Sequence, residues 1–228
     1  MDQPCSRAEL RTCLKHLAWV NRVLFGYRPT LHWLEALNLN QTRTRGANSP
    51  LRILDVGSGY GDTLRRIEQC AQRQSIAVEL TGLDLNPDAA AIAAEASPPT
   101  SRIQWVTGDV FAYTPHQHPH LVITSLFTHH LADDEVVRFL QWLETNALNG
   151  WFINDLSRNI TPYRLFRLFS RVMRLHPFVQ HDGPVSIARA FVPEDWQGYC
   201  AAAGLTATDV VIRGFTPGRL CVARNKPQ

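Results

Sequence analysis

The stretch that most constrains this chain is Leu51-Arg-Ile-Leu-Asp-Val-Gly-Ser-Gly-Tyr-Gly-Asp62. Its first half is an apolar run of strand length. Glycines at 57, 59 and 61 then let the backbone turn sharply and approach a ligand without Cβ atoms in the way. A helical pattern opens at about Thr63, so the turn offers a helix N-terminus to whatever it holds. Any nucleotide would be served by that much, but two details narrow the field. A G-x-G-x-x-G dinucleotide fingerprint needs its third glycine at position 62, where this chain has Asp62. Asp55 lies inside the strand, two places before the first glycine, where a carboxylate suits a cationic amino group better than a pyrophosphate.

Beyond Pro50 short apolar runs alternate with helical periodicities: 53–56 then 63–72, 78–85 then 87–96, 103–106, 121–126 then 133–147, and 151–155. That alternation predicts a parallel sheet with right-handed crossovers and helices on both faces. Two late strands, 207–213 and 220–223, are split by Thr216-Pro-Gly218 and should close the sheet as an antiparallel hairpin. The expectation is an α/β fold: a doubly wound, mostly parallel, seven-stranded sheet. Residues 6–36 read as a helical cap broken at Gly26-Tyr-Arg-Pro29, and 38–50 as a polar connector. One domain over 1–228 follows, with 1–37 as the cap, 51–228 as the core and 156–190 as an insert within it.

Charge and cysteine usage remove several function classes. With 23 Lys+Arg against 20 Asp+Glu, the chain lacks the concentrated basic footprint of a nucleic-acid module. Five cysteines without C-x-x-C or Cys/His spacing suggest no disulfide framework and no metal site, and fit a reducing cytoplasm. No apolar run approaches the roughly 20 residues that span a bilayer, which leaves membrane contact at most peripheral. The sequence is silent on oligomeric state.

The second strand ends Gly82-Leu-Asp-Leu-Asn86 and the third Thr107-Gly-Asp-Val110. Asp84 at a strand edge can accept both hydroxyls of a ribose, and Asp109 can partner an adenine amino group, with Val110 as a backbone donor to the ring. Taken alone, either acid would do equally well as a helix cap. From these motifs in this order, the chain resembles the class I S-adenosylmethionine-dependent methyltransferases, from about Leu51 to the C-terminus. Leu121-Val-Ile-Thr-Ser-Leu-Phe-Thr-His-His-Leu131 is similar to an x-x-x-HH-L signature of small-molecule enzymes of that kind, the ubiquinone and menaquinone methyltransferases included. The resemblance implies S-adenosyl-L-methionine as cofactor, a Rossmann-like methyltransferase fold with 51–228 as the catalytic core and 156–190 as a lid over the acceptor, and cofactor contacts from Asp55, Gly57, Ser58, Gly59, Asp84, Leu85, Asp109, Val110, Phe111, Ser125 and Leu126. Arg28, at the break in the cap, would pair with the methionine carboxylate or with a surface acid.

An acidic acceptor needs a base as well as alignment. His129 and His130 follow the fourth strand, where an imidazole could take a proton from a phenol or enol, although adjacent histidines often only pack or cap. Asp155, at the end of the fifth strand, would orient an imidazole, bind an acceptor hydroxyl or cap the next helix. His181-Asp-Gly-Pro-Val-Ser-Ile-Ala-Arg-Ala-Phe191 resembles a stretch of bacterial small-molecule methyltransferases that act on phenolic or quinone-like lipids. It makes His181 a third base candidate, or else marks a rigid bend at Gly183-Pro184. Arginines at 164, 167, 171 and 174 recur at helical spacing among Leu and Phe, which suits an anionic membrane surface or the solvated side of a lid helix. The leading expectation is O-methylation of a phenolic or enolic hydroxyl on a small aromatic acceptor with an apolar tail. C-methylation of a quinol ring is the close rival, and a nicotinamide-dependent oxidoreductase or a non-catalytic adenosylmethionine binder represents other classes.

Overall fold

The computed structural model describes residues 6–37, 49–173 and 177–226. Ser6 starts the first helix through a capping box: its hydroxyl accepts the Glu9 N–H, and the Glu9 carboxylate accepts the Ser6 N–H at 2.9 Å. Helix α1 (Arg7–Val23) ends at Phe25, which takes the left-handed conformation at φ 54°. Helix α2 (Arg28–Ala36) starts directly afterwards with Pro29 in its first turn, where the missing N–H costs nothing. The connector from 38 to 48 lies outside the described residues.

The sheet follows the expected alternation. Strands β1 (Leu51–Val56), β2 (Val78–Asp84), β3 (Gln104–Thr107), β4 (Leu121–Ser125) and β5 (Gly150–Leu156) are parallel, and the spatial order is β3-β2-β1-β4-β5-β7-β6. Strand β7 (Arg219–Asn225) inserts antiparallel between β5 and β6 (Val210–Phe215). Helices α3 (Asp62–Arg73), α4 (Pro87–Glu95), α5 (Asp133–Asn146), α6 (Ile160–Val172), α7 (Pro177–Arg189) and α8 (Pro193–Ala202) complete the described chain.

Strand alternation divides the core into two layers. Leu51, Ile53, Leu121, Ile123, Phe152 and Cys221 face α3 and also α2, whose Trp33 stacks on Phe152 at 5.1 Å between ring centres. Leu54, Val56, Val122, Trp151, Ile153 and Val222 face the other way, against Phe139, Leu140 and Leu143 of α5 and Trp196 of α8. The cap is therefore half structural: α2 belongs to a sheet layer, while α1 packs Leu10 and Leu14 on α4 and Tyr60.

Three elements differ from the sequence reading. Residues 181–189 are helical rather than bent, with Pro184 inside α7. A Cβ on Gly183 would come within 2.1 Å of the Phe166 ring, so this glycine serves the close approach of α6 and α7 rather than a turn. Helix α8 was not anticipated, although Pro193-Glu-Asp195 at its start is a helix-opening signal. Strand β6 begins at Val210 rather than Ala207, because Asp209 folds back to accept the Thr206 N–H at 2.8 Å.

Candidate functional site

The strand order reverses between β1 and β4, and in open α/β sheets the crevice outside that point is where ligands bind. The Thr124 hydroxyl ties the two strand ends together by donating to the Val56 carbonyl at 2.7 Å. The three glycines that follow all have positive φ, 69° at Gly57, 51° at Gly59 and 72° at Gly61, but they serve different ends. A Cβ at Gly57 would lie 2.8 Å from the Phe127 ring and one at Gly61 2.1 Å from Trp105, so both permit packing. A Cβ at Gly59 would touch nothing nearer than 3.8 Å. Gly59 is thus the least crowded of the three, in ordinary contact with Leu14 of α1.

Two carboxylates, Asp84 and Asp55, lie beside this loop. Asp84 accepts the Gly59 N–H at 2.8 Å and the Asn86 N–H at 2.9 Å, one on each oxygen. A carboxylate offers about four acceptor positions, so each oxygen keeps a lone pair for a ligand hydroxyl. Burial raises the Asp84 carboxyl above its ordinary range, and the two backbone donors partly offset this. Asp55 is fully buried, and its carboxyl is pushed well up, by desolvation first and then by the negative fields of Asp62 and Asp84. Such a group gains from the arrival of a cation. The buried hydroxyl oxygens of Ser58 and Ser125 have no hydrogen-bond partner among the described residues, an expense a polar ligand would remove. Further along the sheet edge Asp109 is exposed and accepts the Phe111 N–H at 3.0 Å, leaving its second oxygen to solvent. Val110 is buried, Leu85 is 72% exposed, and Leu126 adopts φ 58° just beyond β4.

Beyond the end of β4 the structure brings His129 and Asp155 together. Asp155 is wholly buried and accepts four hydrogen bonds: from the Thr128 hydroxyl, the His129 N–H at 3.1 Å, the His129 ring at 2.7 Å and the Leu156 N–H at 2.7 Å. Burial pushes this carboxyl up, but the attraction of His129 and the converging donors prevail and hold it at about 2. An ionised carboxylate can only accept, so in the neutral imidazole Nδ1 carries the proton and Nε2 the lone pair. The single 3₁₀ turn Thr128–His130 places the pair, and the exposed His130 ring lies 4.2 Å from that of His129. His181 falls on α7, and its side chain lies outside the described residues.

Two features of the site escaped the sequence. Tyr27, at the start of α2, donates its hydroxyl to Asp62 at the start of α3, while the Arg66 guanidinium covers the Tyr27 ring at 4.3 Å. The cap is thereby fastened to the glycine loop by the residue that breaks the dinucleotide fingerprint. A buried arginine, Arg219, also reaches from β7 to the Asn21 side-chain oxygen at 2.5 Å and towards the Asn154 carbonyl and side-chain oxygens at 3.4 Å. Asn154 in turn donates to the Gly26 carbonyl at 2.8 Å and to Thr30 at 3.0 Å. Their signal was present in Asn21 and Gly26, but nothing local ties either to residue 219. A Cβ on Gly26 would fall 1.7 Å from the Asn21 oxygen and 2.5 Å from the Arg219 guanidinium. Gly26→Ala should therefore lower stability by about 3 kcal/mol, the upper part of the overpacking range, read from urea unfolding.

Arg28 is not part of this buried cluster. It is exposed on a groove of about 380 Å³ that it shares with Arg22, Phe25, Tyr27, His32 and Arg66. Its long side chain starts from the solvent side of α2, which explains why it stays out of the interior.

Residues 53–146 match the family model of a methyltransferase domain. The match takes in the glycine loop, Asp84, Asp109 and His129, whereas Asp155 and residues 156–190 lie beyond it. No curated protein matches the chain. Among solved structures, the plantazolicin methyltransferase BpumL in complex with SAH superposes with a TM-score of 0.63 at 14% identity, covering 96% of both chains. Magnesium protoporphyrin IX methyltransferase from Synechocystis PCC 6803, with bound SAH, gives 0.59 at 14% identity over 90% of this chain and 85% of that one. Human N-acetylserotonin methyltransferase in complex with SAM gives 0.54 at 15% identity over 78% and 48%. At such identities the likeness is one of fold, and it bears out the doubly wound seven-stranded sheet. Nothing among these matches singles out the ubiquinone-type subgroup or the one suggested by the 181–191 stretch, of which 181–189 are helical here.

Proposed function

We propose that this chain is an S-adenosylmethionine-dependent methyltransferase of a small molecule, directed to a phenolic or enolic hydroxyl of an aromatic acceptor. The observation that carries the reading is the Asp84 carboxylate braced on the Gly59 N–H at 2.8 Å, beside the buried Asp55, within the stretch that matches the methyltransferase-domain model. The neighbours of like fold, solved with SAH or SAM, support the cofactor. When bound, S-adenosylmethionine supplies a methyl group on a sulfonium, open to in-line displacement. Asp84 holds the ribose hydroxyls, Asp109 the adenine amino group and Asp55 the ammonium of the methionine part. Fixing both reactants in line supplies up to ~7–11 kcal/mol of the acceleration. His129 Nε2 takes the proton of the acceptor hydroxyl as the oxygen bonds to carbon, and Asp155 positions the ring and offsets its positive charge. Carbon acceptors on a quinol ring would need the same base.

Calorimetry with S-adenosylhomocysteine, followed by assay of its release across a panel of phenols and enols, tests the proposal. Heat of binding and product from at least one hydroxylated aromatic are expected, with no heat from NAD. A folded, ligand-free preparation that binds neither the cofactor nor its demethylated product would falsify the reading.

The raised Asp55 carboxyl adds a pH signature. A protonated Asp55 must lose its proton when an ammonium arrives, so the bound state favours deprotonation and affinity should tighten as pH rises through the unbound pKa. Calorimetry in buffers of differing ionisation enthalpy, run across a pH series, should detect proton release on binding, and Asp55→Asn should abolish it. A pH-independent affinity in the unmodified protein would remove Asp55 from the ammonium site.

A further inference from the structure

The positive charge of this molecule is concentrated between β5 and α8. Residues 157–190 hold six arginines and a single acid, Asp182, whereas the rest of the chain has 17 basic residues against 19 acids. Within this segment α6 turns its apolar side chains in two directions. Phe166, Phe169 and Ser170 face the protein, with Phe169 stacked on Trp19 of α1 at 6.1 Å between ring centres. Leu165, Leu168 and Val172 fall on another arc of the helix and are 61%, 63% and 68% exposed. At 100° per residue they lie within about 60° of one another. The exposed Arg164, Arg167 and Arg171 form the adjoining row, and Trp19, 38% exposed, borders the opposite side.

An apolar row in water beside a row of arginines is the pattern of a helix lying in a lipid headgroup region, its leucines among acyl chains and its guanidinium groups among phosphates. We propose that α6 docks this protein onto the surface of an anionic lipid bilayer. Charge decides the occupant. A second copy meeting the same face would set arginine against arginine, whereas an anionic leaflet complements the whole segment. Among the described residues no helix is long and apolar enough to cross a membrane, so the contact is an in-plane one. Helices α6 and α7 follow directly on Asp155, so docking would present the acceptor side of the sheet to the leaflet and admit an acceptor carried by an apolar tail. Only this last purpose rests on the function proposed above; docking itself does not.

The test is sedimentation of the full chain with vesicles of equal parts phosphatidylcholine and phosphatidylglycerol, against vesicles of phosphatidylcholine alone. Binding to the mixed vesicles only, weakened by salt, is the expected result. Each arginine near an anionic surface is worth about fivefold in partitioning, so Arg164→Gln with Arg171→Gln should weaken it roughly 30-fold. Leu165→Asp with Leu168→Asp should abolish it, with an unchanged circular dichroism spectrum and thermal transition as proof of folding. Quenching of tryptophan emission by brominated lipid, measured on the unmodified protein, gives a reading independent of the variants and should be present. Protein left in the supernatant, equal binding to neutral vesicles, or undiminished binding by the folded variants would each overturn the proposal. So would a concentration-dependent dimer that Leu168→Asp dissolves, since the face would then belong to a second copy. Loss of cofactor binding in the unmodified chain would sink the functional reading and leave the vesicle result standing.

Discussion

Replacing Asp84 with alanine is expected to raise the dissociation constant for S-adenosylhomocysteine by at least about 10²-fold, since hydrogen bonds to a charged group are worth ~1.5–3 kcal/mol each and two are lost. The substitution acts twice. It removes the acceptors offered to the ribose, and it strands the Gly59 and Asn86 N–H groups that hold the loop in its binding shape. Asp84→Asn separates the contributions, because an amide oxygen can still take one backbone donor while the negative charge is gone. Calorimetry on both variants, with circular dichroism to verify the fold, provides the check. Undiminished affinity in Asp84→Ala would move the nucleoside elsewhere and leave the carboxylate as a loop brace.

The second large effect is expected at the buried pair. His129→Ala should lower turnover at saturating cofactor by at least ~10²-fold, the low end of general-base contributions, with little change in cofactor affinity. Asp155→Ala should instead be costly for the fold, by about 3–5 kcal/mol, because four donors lose their acceptor in a site closed to water. The two outcomes discriminate a base from a brace. A purely structural His129 would destabilise on truncation and leave the pH profile of the remaining activity unshifted, whereas a base would take the profile's lower limb with it. The linkage has a definite sign. Asp155 is held at about 2, below its ordinary 3.8, so its contribution to stability is complete above about pH 4 and fades as pH falls towards 2. His130→Ala, at an exposed ring, should leave both quantities nearly untouched.

The legible parts of this chain were those written locally. Strand β1 declares itself because a both-face-buried parallel strand reads as a continuous apolar run, and the acid within it stands out for that reason. Asp84 and Asp109 were findable because strand ends in this architecture share one edge. The Asp155–His129 contact was within reach too, since both residues close neighbouring parallel strands, although the sequence left Asp155 equally able to cap a helix. What stayed hidden depends on distance along the chain. Nothing near Arg219 announces that it meets Asn21, because β7 pairs antiparallel beside β5 and carries its first residue back to the cap. Likewise Gly183-Pro184 carries a bend signal that tertiary packing overrides: with Phe166 beneath it, the glycine is more useful inside a helix. Asp62 was read only as a missing glycine, when its partner is a tyrosine from another helix.

The placement of β7 between β5 and β6 bears on how the molecule is made. On a ribosome β5 emerges well before its partner, with α6, α7, α8 and β6 still to come, so the growing polypeptide presents an unsatisfied ladder edge throughout that interval. Such non-local pairing is slow to nucleate, which makes nascent, incomplete versions of this protein natural clients for chaperones until the Arg219–Asn225 segment arrives.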